Sequence, residues 1–369
     1  MKQLLSLMLL VLILQTARAQ DVLTIDTKNK KPIAPTMWGL FYEDINRSGD
    51  GGVYAELIKN RSFDFPDPFM GWEAQPARGD FARNDIFQVI NQSEINPDDP
   101  KYLQVTVNAA NNYLLANEGF GGVTVKKGVD YTFTVVYRVK TPGLTLKAEI
   151  FNSSNKSVGS TALKPAVAGN EWQTATAKIT TTDTTGKGKF IIWFQGTGKI
   201  DIDRLSLFPV DTWQSRPGGL RADLIQKLAD IQPGFLRFPG GCIVEGKTIA
   251  TRYQWKKTIG PLESRKLNIN QWQEGASGPA LPDYFQSFGL GFMEYFQLCE
   301  DLKSEPLPIL NCGLSCQFDA AEVVPVDQID PYVQDALDLI EFANGDAGTK
   351  WGARRISLGH PGTFNLKTV

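Results

Sequence analysis

The sequence of 369 residues contains a single histidine, His360. A histidine-rich metal centre is thereby excluded, and a Ser-His-Asp triad would have to use that one imidazole without a G-x-S-x-G elbow. Cysteine is scarce too. Cys242, Cys299, Cys312 and Cys316 do not form the pattern of a disulfide scaffold. Cys312 and Cys316 share a C-x-x-x-C, but all four sit among apolar residues, so buried thiols are expected rather than a zinc or redox pair. An excess of one charge is also missing, with 38 basic against 40 acidic residues. Neither nucleic acid nor an anionic membrane is therefore expected, and a neutral partner fits better. The one long apolar run, Leu4 to Leu14, is too short to span a bilayer.

That run is instead part of an export signal. Lys2 precedes it, and Ala17-Arg18-Ala19 supplies an A-x-A cleavage site. Residues 1–19 are read as a signal peptide without a lipobox cysteine, and the protein as secreted or periplasmic.

Three stretches follow. Residues 20–68 include Thr36 to Asp44, an apolar and aromatic run read as a strand buried on both faces and ending in two carboxylates. Residues 69–209 alternate at period two: Tyr131, Phe133, Val135, Tyr137 and Val139 face one way, and Leu144, Leu146, Ala148 and Ile150 repeat the pattern. This predicts an antiparallel β-sandwich. From 210 to 369 the period becomes helical. Leu220, Leu224, Ile225, Leu228 and Ile231 share a face, then Phe235 to Phe238 reads as a strand. Phe292, Phe296, Cys299 and Leu302 mark a second helix before a strand at Leu307 to Cys312. A third helix takes Asp330 as N-cap and Pro331 at its first position, with Val333, Ala336, Leu337 and Ile340 as its apolar face. Phe364 to Val369 starts a further strand. The fold class is α/β plus all-β: an incomplete (β/α)8 TIM barrel of about four strands, interrupted by an inserted β-sandwich.

Gly241 to Thr248 satisfies G-x-x-x-x-G-K-[ST]. The segment after Thr248 lacks an apolar helical face to aim at a phosphate, no later strand supplies a magnesium-holding aspartate, and the signal directs the chain away from cytosolic nucleotide. Pro239-Gly240-Gly241 suits either a tight turn or close backbone approach to a substrate. Glu43 and Asp44, at the corresponding end of the first strand, suit sugar hydroxyls as well as solvent. Arg237, within an apolar strand, implies either a structural ion pair or a brace for a catalytic carboxylate. Trp38, Phe41, Tyr42, Trp255 and Trp272 are either sugar platforms or core.

Taken together, Met37 to Ile45, Gly51 to Leu57, Phe235 to Cys242 with Glu245-Gly246, Ile259-Gly260-Pro261, Asp283 to Tyr295 and Trp351 to Lys367 resemble the long-type α-L-arabinofuranosidases of glycoside hydrolase family 51. The resemblance implies hydrolysis of terminal α-L-arabinofuranosyl linkages in arabinan and arabinoxylan with retention, and a carbohydrate-binding-module-like sandwich. It implies no cofactor and no metal. Glu43, Gly241, Cys242 and, more loosely, Asn311 match substrate-binding positions, and Arg237 supports the catalytic carboxylates. The acid/base glutamate is expected just beyond the match to Phe364-Asn365-Leu366-Lys367 and the nucleophile later still, so neither is expected in this chain. The rival function is non-catalytic polysaccharide binding by the sandwich. Because retention needs two carboxyl groups, residues 1–369 alone are expected to release no arabinose from nitrophenyl α-L-arabinofuranoside, read as absorbance of the freed nitrophenol.

Overall fold

The computed structural model describes residues 23–28, 30–75, 85–93, 95–108, 113–165, 168–273 and 282–369. The expected signal peptide at 1–19 lies outside them. Two compact units are present, Met1–Met37 and Trp38–Val369. The described part of the first contains neither helix nor strand, and Leu23, Ile25 and Ile33 are exposed there. No helix among the described residues is long and apolar enough to cross a membrane.

The second unit opens with β1 (Leu40–Phe41). Eleven strands follow: β2 (Trp72–Gln75), β3 (Phe87–Asn91), β4 (Lys101–Val107), β5 (Tyr113–Asn117), β6 (Val123–Val125), β7 (Asp130–Thr141), β8 (Leu144–Phe151), β9 (Ser157–Leu163), β10 (Gln173–Thr180), β11 (Thr185–Gly196) and β12 (Gly198–Pro209). They build two sheets, ordered β10-β7-β12-β4-β3 and β2-β5-β11-β8-β9, with β6 beside β11. All of their pairings are antiparallel. The period-two alternation decides the packing, because every second side chain of β7 is buried. Phe133 of β7 meets Phe190 of β11 across the gap at 5.5 Å between ring centroids, so the two sheets share one core.

The remaining elements alternate helix and strand: α1 (Ala222–Ile231), β13 (Phe235–Phe238), the one-turn α2 (Cys242–Glu245), a two-stranded ribbon β14 (Asn268–Ile269) and β15 (Phe285–Gln286), α3 (Phe292–Leu302), β16 (Glu305–Pro308), α4 (Asp330–Asn344) and α5 (Lys350–Ser357). Strands β1, β13 and β16 form a parallel sheet in that order. Helix α3 starts where Glu294 accepts the Gly291 N–H at 2.9 Å and Thr258 Oγ1 accepts that of Phe292 at 3.0 Å. It buries Phe292, Phe296, Cys299 and Leu302, the expected face. The second core is rich in aromatic rings, with Phe238 stacked on Tyr295 at 4.7 Å.

Five details depart from expectation. The strand expected at Leu307 to Cys312 is Glu305–Pro308. Only Leu40–Phe41 of the 36–44 run is strand, and Met37, Trp38 and Phe41 are 70, 51 and 57% exposed. An unbroken apolar run does not reveal whether one sheet face is covered or both. Ile329, not Asp330, is the N-cap of α4. Its buried face is Tyr332, Leu339, Phe342 and Ala343, while Val333, Leu337 and Ile340 are exposed. That helix carries two apolar stripes, and Trp255 and Phe296, against which Phe342 packs, select one. Finally, 364–369 is not a strand. Asn365 takes φ +52°, Phe364 N–H donates to Ala343 O, and Asn344 clasps Leu366 through both its N–H and its carbonyl.

Where β12 meets the segment before β2, Asp64, Asp99 and Asp203 are crowded together. Burial, then the neighbouring Asp99, push Asp203 up to about 8, and burial pushes Asp64 up to about 7. Asp203 Oδ1 has no hydrogen-bond partner. Folded-state values above the unfolded value of about 3.9 mean that the native state holds more protons, so stability falls as pH rises from about 4 to 8. The denaturant midpoint is expected to decline across that window, and Asp203→Asn to flatten the decline.

Candidate functional site

Parallel register gathers the strand ends at one rim. Leu40 pairs with Leu236 and Phe41 with Arg237. Beyond the strands, Tyr42 N–H donates to Arg237 O at 2.8 Å and Asp44 N–H to Pro239 O at 3.3 Å. On the other side Ile309 N–H donates to Phe238 O at 2.8 Å. Glu43, the Gly240-Gly241-Cys242 turn and the loop beginning at Asn311 are thus brought side by side. Glu43 Oε1 accepts the N–H groups of Gly241 at 3.1 Å and Ile243 at 3.2 Å, clamping the start of α2. Its Oε2 has no hydrogen-bond partner among the described residues. The two glycines differ. A Cβ on Gly240 would lie 2.5 Å from both Glu43 Cγ and Ile243 Cγ2, at a φ of +149°, whereas one on Gly241 would meet nothing within 4 Å. Gly240 is needed for close approach, and Gly241 borders open space.

Asp44 does not share the rim with Glu43. It is buried, accepting from Tyr284 Oη at 2.8 Å, Gly49 N–H at 3.0 Å and Gln286 Nε2 at 3.0 Å, while Asn270 Nδ2 reaches its backbone carbonyl at 3.0 Å. Burial raises its pKa against those bonds. It is a structural hub, held by Tyr284, Asn270 and Gln286, partners that no local motif marks.

Arg237 forms no ion pair among the described residues. Its guanidinium lies over the Phe41 ring at 4.5 Å on the open face of the parallel sheet. Asn311 spends its amide on α2 and on its own loop: Nδ2 donates to Val244 O at 3.1 Å and Leu314 O at 2.7 Å, and Oδ1 accepts from Gly313 at 2.7 Å. Buried thiols hold for Cys299 and Cys316, but Cys242 is half-buried and Cys312 exposed. The apolar sequence around Cys312 misleads because the chain turns there to serve Asn311. Cys242 Sγ, a Glu245 carboxylate oxygen and Cys316 Sγ lie within 4.8 Å of one another, a meeting the C-x-x-x-C spacing does not announce. His360 stacks on Phe364 and bonds Glu300 at 2.8 Å. Trp255 is core. In the 241–248 motif the helix begins at Cys242 and ends at Glu245, and Thr248 Oγ1 accepts from Thr251 to cap a 3-10 turn. No helix of useful length points at a phosphate.

An α-L-arabinofuranosidase 1 domain model matches residues 227–369. An extracellular exo-α-L-arabinofuranosidase of Streptomyces chartreusis is 35% identical over 95% of this chain and 42% of its own length. An arabinose-bound GH51 α-L-arabinofuranosidase superimposes with TM-score 0.78 at 31% identity, over 91% of this chain and 53% of its own. The chain is thus similar over most of its length to a glycoside hydrolase family 51 α-L-arabinofuranosidase. Another relative, α-L-arabinofuranosidase 2 of Arabidopsis thaliana, is 31% identical over 94% of this chain and 51% of its own length. The chain spans about half the length of the curated relatives it matches.

Within this rim, the tight contact at Gly240 makes a direct prediction. Gly240→Ala should push Glu43 off the Gly241 and Ile243 N–H groups and cost about 1–3 kcal/mol of stability. Gly241→Ala should leave the denaturation midpoint nearly unchanged, read by denaturant melts of both variants.

Proposed function

We propose that the protein is an exo-acting, retaining α-L-arabinofuranosidase, removing terminal arabinofuranosyl units from arabinan or arabinoxylan outside the cytoplasm. Residues 1–369 supply the first strands of a (β/α)8 barrel, with the sandwich inserted after the first of them, and the sugar-binding half of the site. In this reading the acid/base and nucleophile glutamates lie outside these residues, and no metal or organic cofactor takes part in the hydrolysis.

The observation that carries the reading is the Glu43 clamp. One carboxylate oxygen holds the Gly241 loop, the other remains available to a sugar hydroxyl, and the Cβ direction of Gly241 is empty. Cys242 lines the same subsite. Arg237, free of any carboxylate among the described residues and half-buried on the open sheet face, supplies positive charge beneath the position of the catalytic carboxylates. Asn311 acts by shaping the loop beside Val244.

The sandwich offers a second sugar surface. Arg138 lies between Tyr102 and Trp172, 4.8 and 4.5 Å from their ring centroids, and donates to buried Asp201 at 2.7 Å. Such an aromatic and charged group on an outward sheet face suits polysaccharide capture.

Glu43→Gln is expected to weaken arabinose binding, measured by calorimetry, about tenfold, the scale of one charged hydrogen bond. An unchanged affinity removes Glu43 from the subsite. Trp172→Ala should abolish retardation of residues 69–209 on arabinoxylan gels if the sandwich captures polymer; retardation that survives it assigns capture elsewhere.

A further inference from the structure

The Cys242–Glu245–Cys316 meeting point adjoins the sugar loop, and of its members only Cys242 belongs to the proposed sugar subsite. Cys242 and Glu245 are three apart on α2, which places both side chains on one side of that turn. Cys316 arrives from the loop after β16 and is fixed there by backbone bonds. Its N–H donates to Gly246 O at 3.0 Å, and Ala320 N–H donates to Lys247 O at 3.2 Å. Asn311 Nδ2, bonded to Val244 O, ties the same two segments a third time. The donors therefore converge through main-chain tethers, not through side-chain freedom.

The two thiols are not covalently joined, and one carboxylate oxygen of the cluster lacks a partner. Glu245 Oε2 is buried and accepts no hydrogen bond, a state that is costly for a carboxylate oxygen. Two sulfurs and one carboxylate oxygen, their ligand atoms within 4.8 Å of one another, form a soft donor set. Soft thiolates select zinc-like ions over magnesium or calcium.

We propose that Cys242 Sγ, the Glu245 carboxylate and Cys316 Sγ bind a thiophilic divalent cation of the zinc class. Both thiols lose their protons to solvent as the metal–sulfur bonds form. Closing to metal–sulfur distances of about 2.3 Å draws the three groups together by roughly 1 Å at most. Three protein ligands leave the fourth tetrahedral position for water. Cys299, buried in α3, and Cys312, exposed, take no part.

The test uses no sugar, so it stands or falls separately from the arabinofuranosidase reading. The whole chain, kept reduced by a phosphine, is titrated with Cd2+ and the thiolate-to-cadmium charge-transfer band is followed in the ultraviolet. One-to-one binding is expected, with the band halved or lost in Cys242→Ser and in Cys316→Ser, intact in Cys299→Ser and Cys312→Ser, and reversed by Zn2+. Glu245→Gln should keep the band but weaken binding about tenfold. Unchanged melting of the Cys316→Ser protein separates loss of a ligand from loss of fold; if it misfolds, Cys242→Ser at the half-buried position decides. The proposal is overturned by absence of the band, by a full band in folded Cys316→Ser or Cys242→Ser protein, or by mass-spectrometric detection of a Cys242–Cys316 disulfide in the native protein.

Discussion

The parallel pairing of Leu40–Phe41 with Phe235–Phe238 is the contact on which the rim depends. Residues 42–234 intervene, and closing so long a loop is entropically affordable only because the cost grows slowly with length and the intervening sheets have a core of their own. A lacing of backbone bonds returns the chain to its starting point. Leu57 N–H donates to Leu207 O, Ala55 N–H to Gly219 O and Arg221 N–H to Val53 O, while Glu56 Oε1 accepts the N–H of Leu207 at 2.9 Å. A slip of one residue would turn Arg237 into the helix layer and carry Leu236 to the open face, and Glu43 would lose the Gly241 N–H.

Two cores flank this return. Between the alternating strands, the inward side chains of the two sheets share one core. Beneath the parallel sheet, aromatic rings do the filling: Phe292 and Phe296 meet Phe238 edge-on at 5.3 and 5.7 Å. Some of the polar groups that the second arrangement buries are held by several partners, while others, Tyr253 Oη and Trp351 Nε1 among them, have none among the described residues. Asp44 is the clearest case of the former, with donors from three separate segments, Gly49, Asn270 and Tyr284 with Gln286. Burial raises its pKa, whereas the adjacent Glu43 is less buried and accepts only backbone N–H groups.

Local pattern reached a good part of this. Alternation in β7 and β8 requires a half-buried strand, whatever its neighbours, because side chains on a pleated backbone must point alternately. The face of α3 was legible because its polar and apolar residues separate cleanly. Helix α4 was not, since Val333, Leu337 and Ile340 offer as good a stripe as Tyr332, Leu339 and Phe342. The end at 364–369 has strand composition, yet composition cannot supply a partner strand, and Asn344 took its polar groups instead.

Sequence alone determined which segments alternate, which are helical and which family they resemble, because those properties are carried by residues close together in the chain. Only the tertiary structure decided what separates Glu43 from Asp44, that Arg237 rests on Phe41 rather than on a carboxylate, that Asn311 is consumed by α2 and its own loop, and that Cys316 pairs in space with Cys242 instead of Cys312. Each of those outcomes is a competition for hydrogen-bond partners, ring faces or space among segments far apart in sequence. No local spacing encodes who wins it.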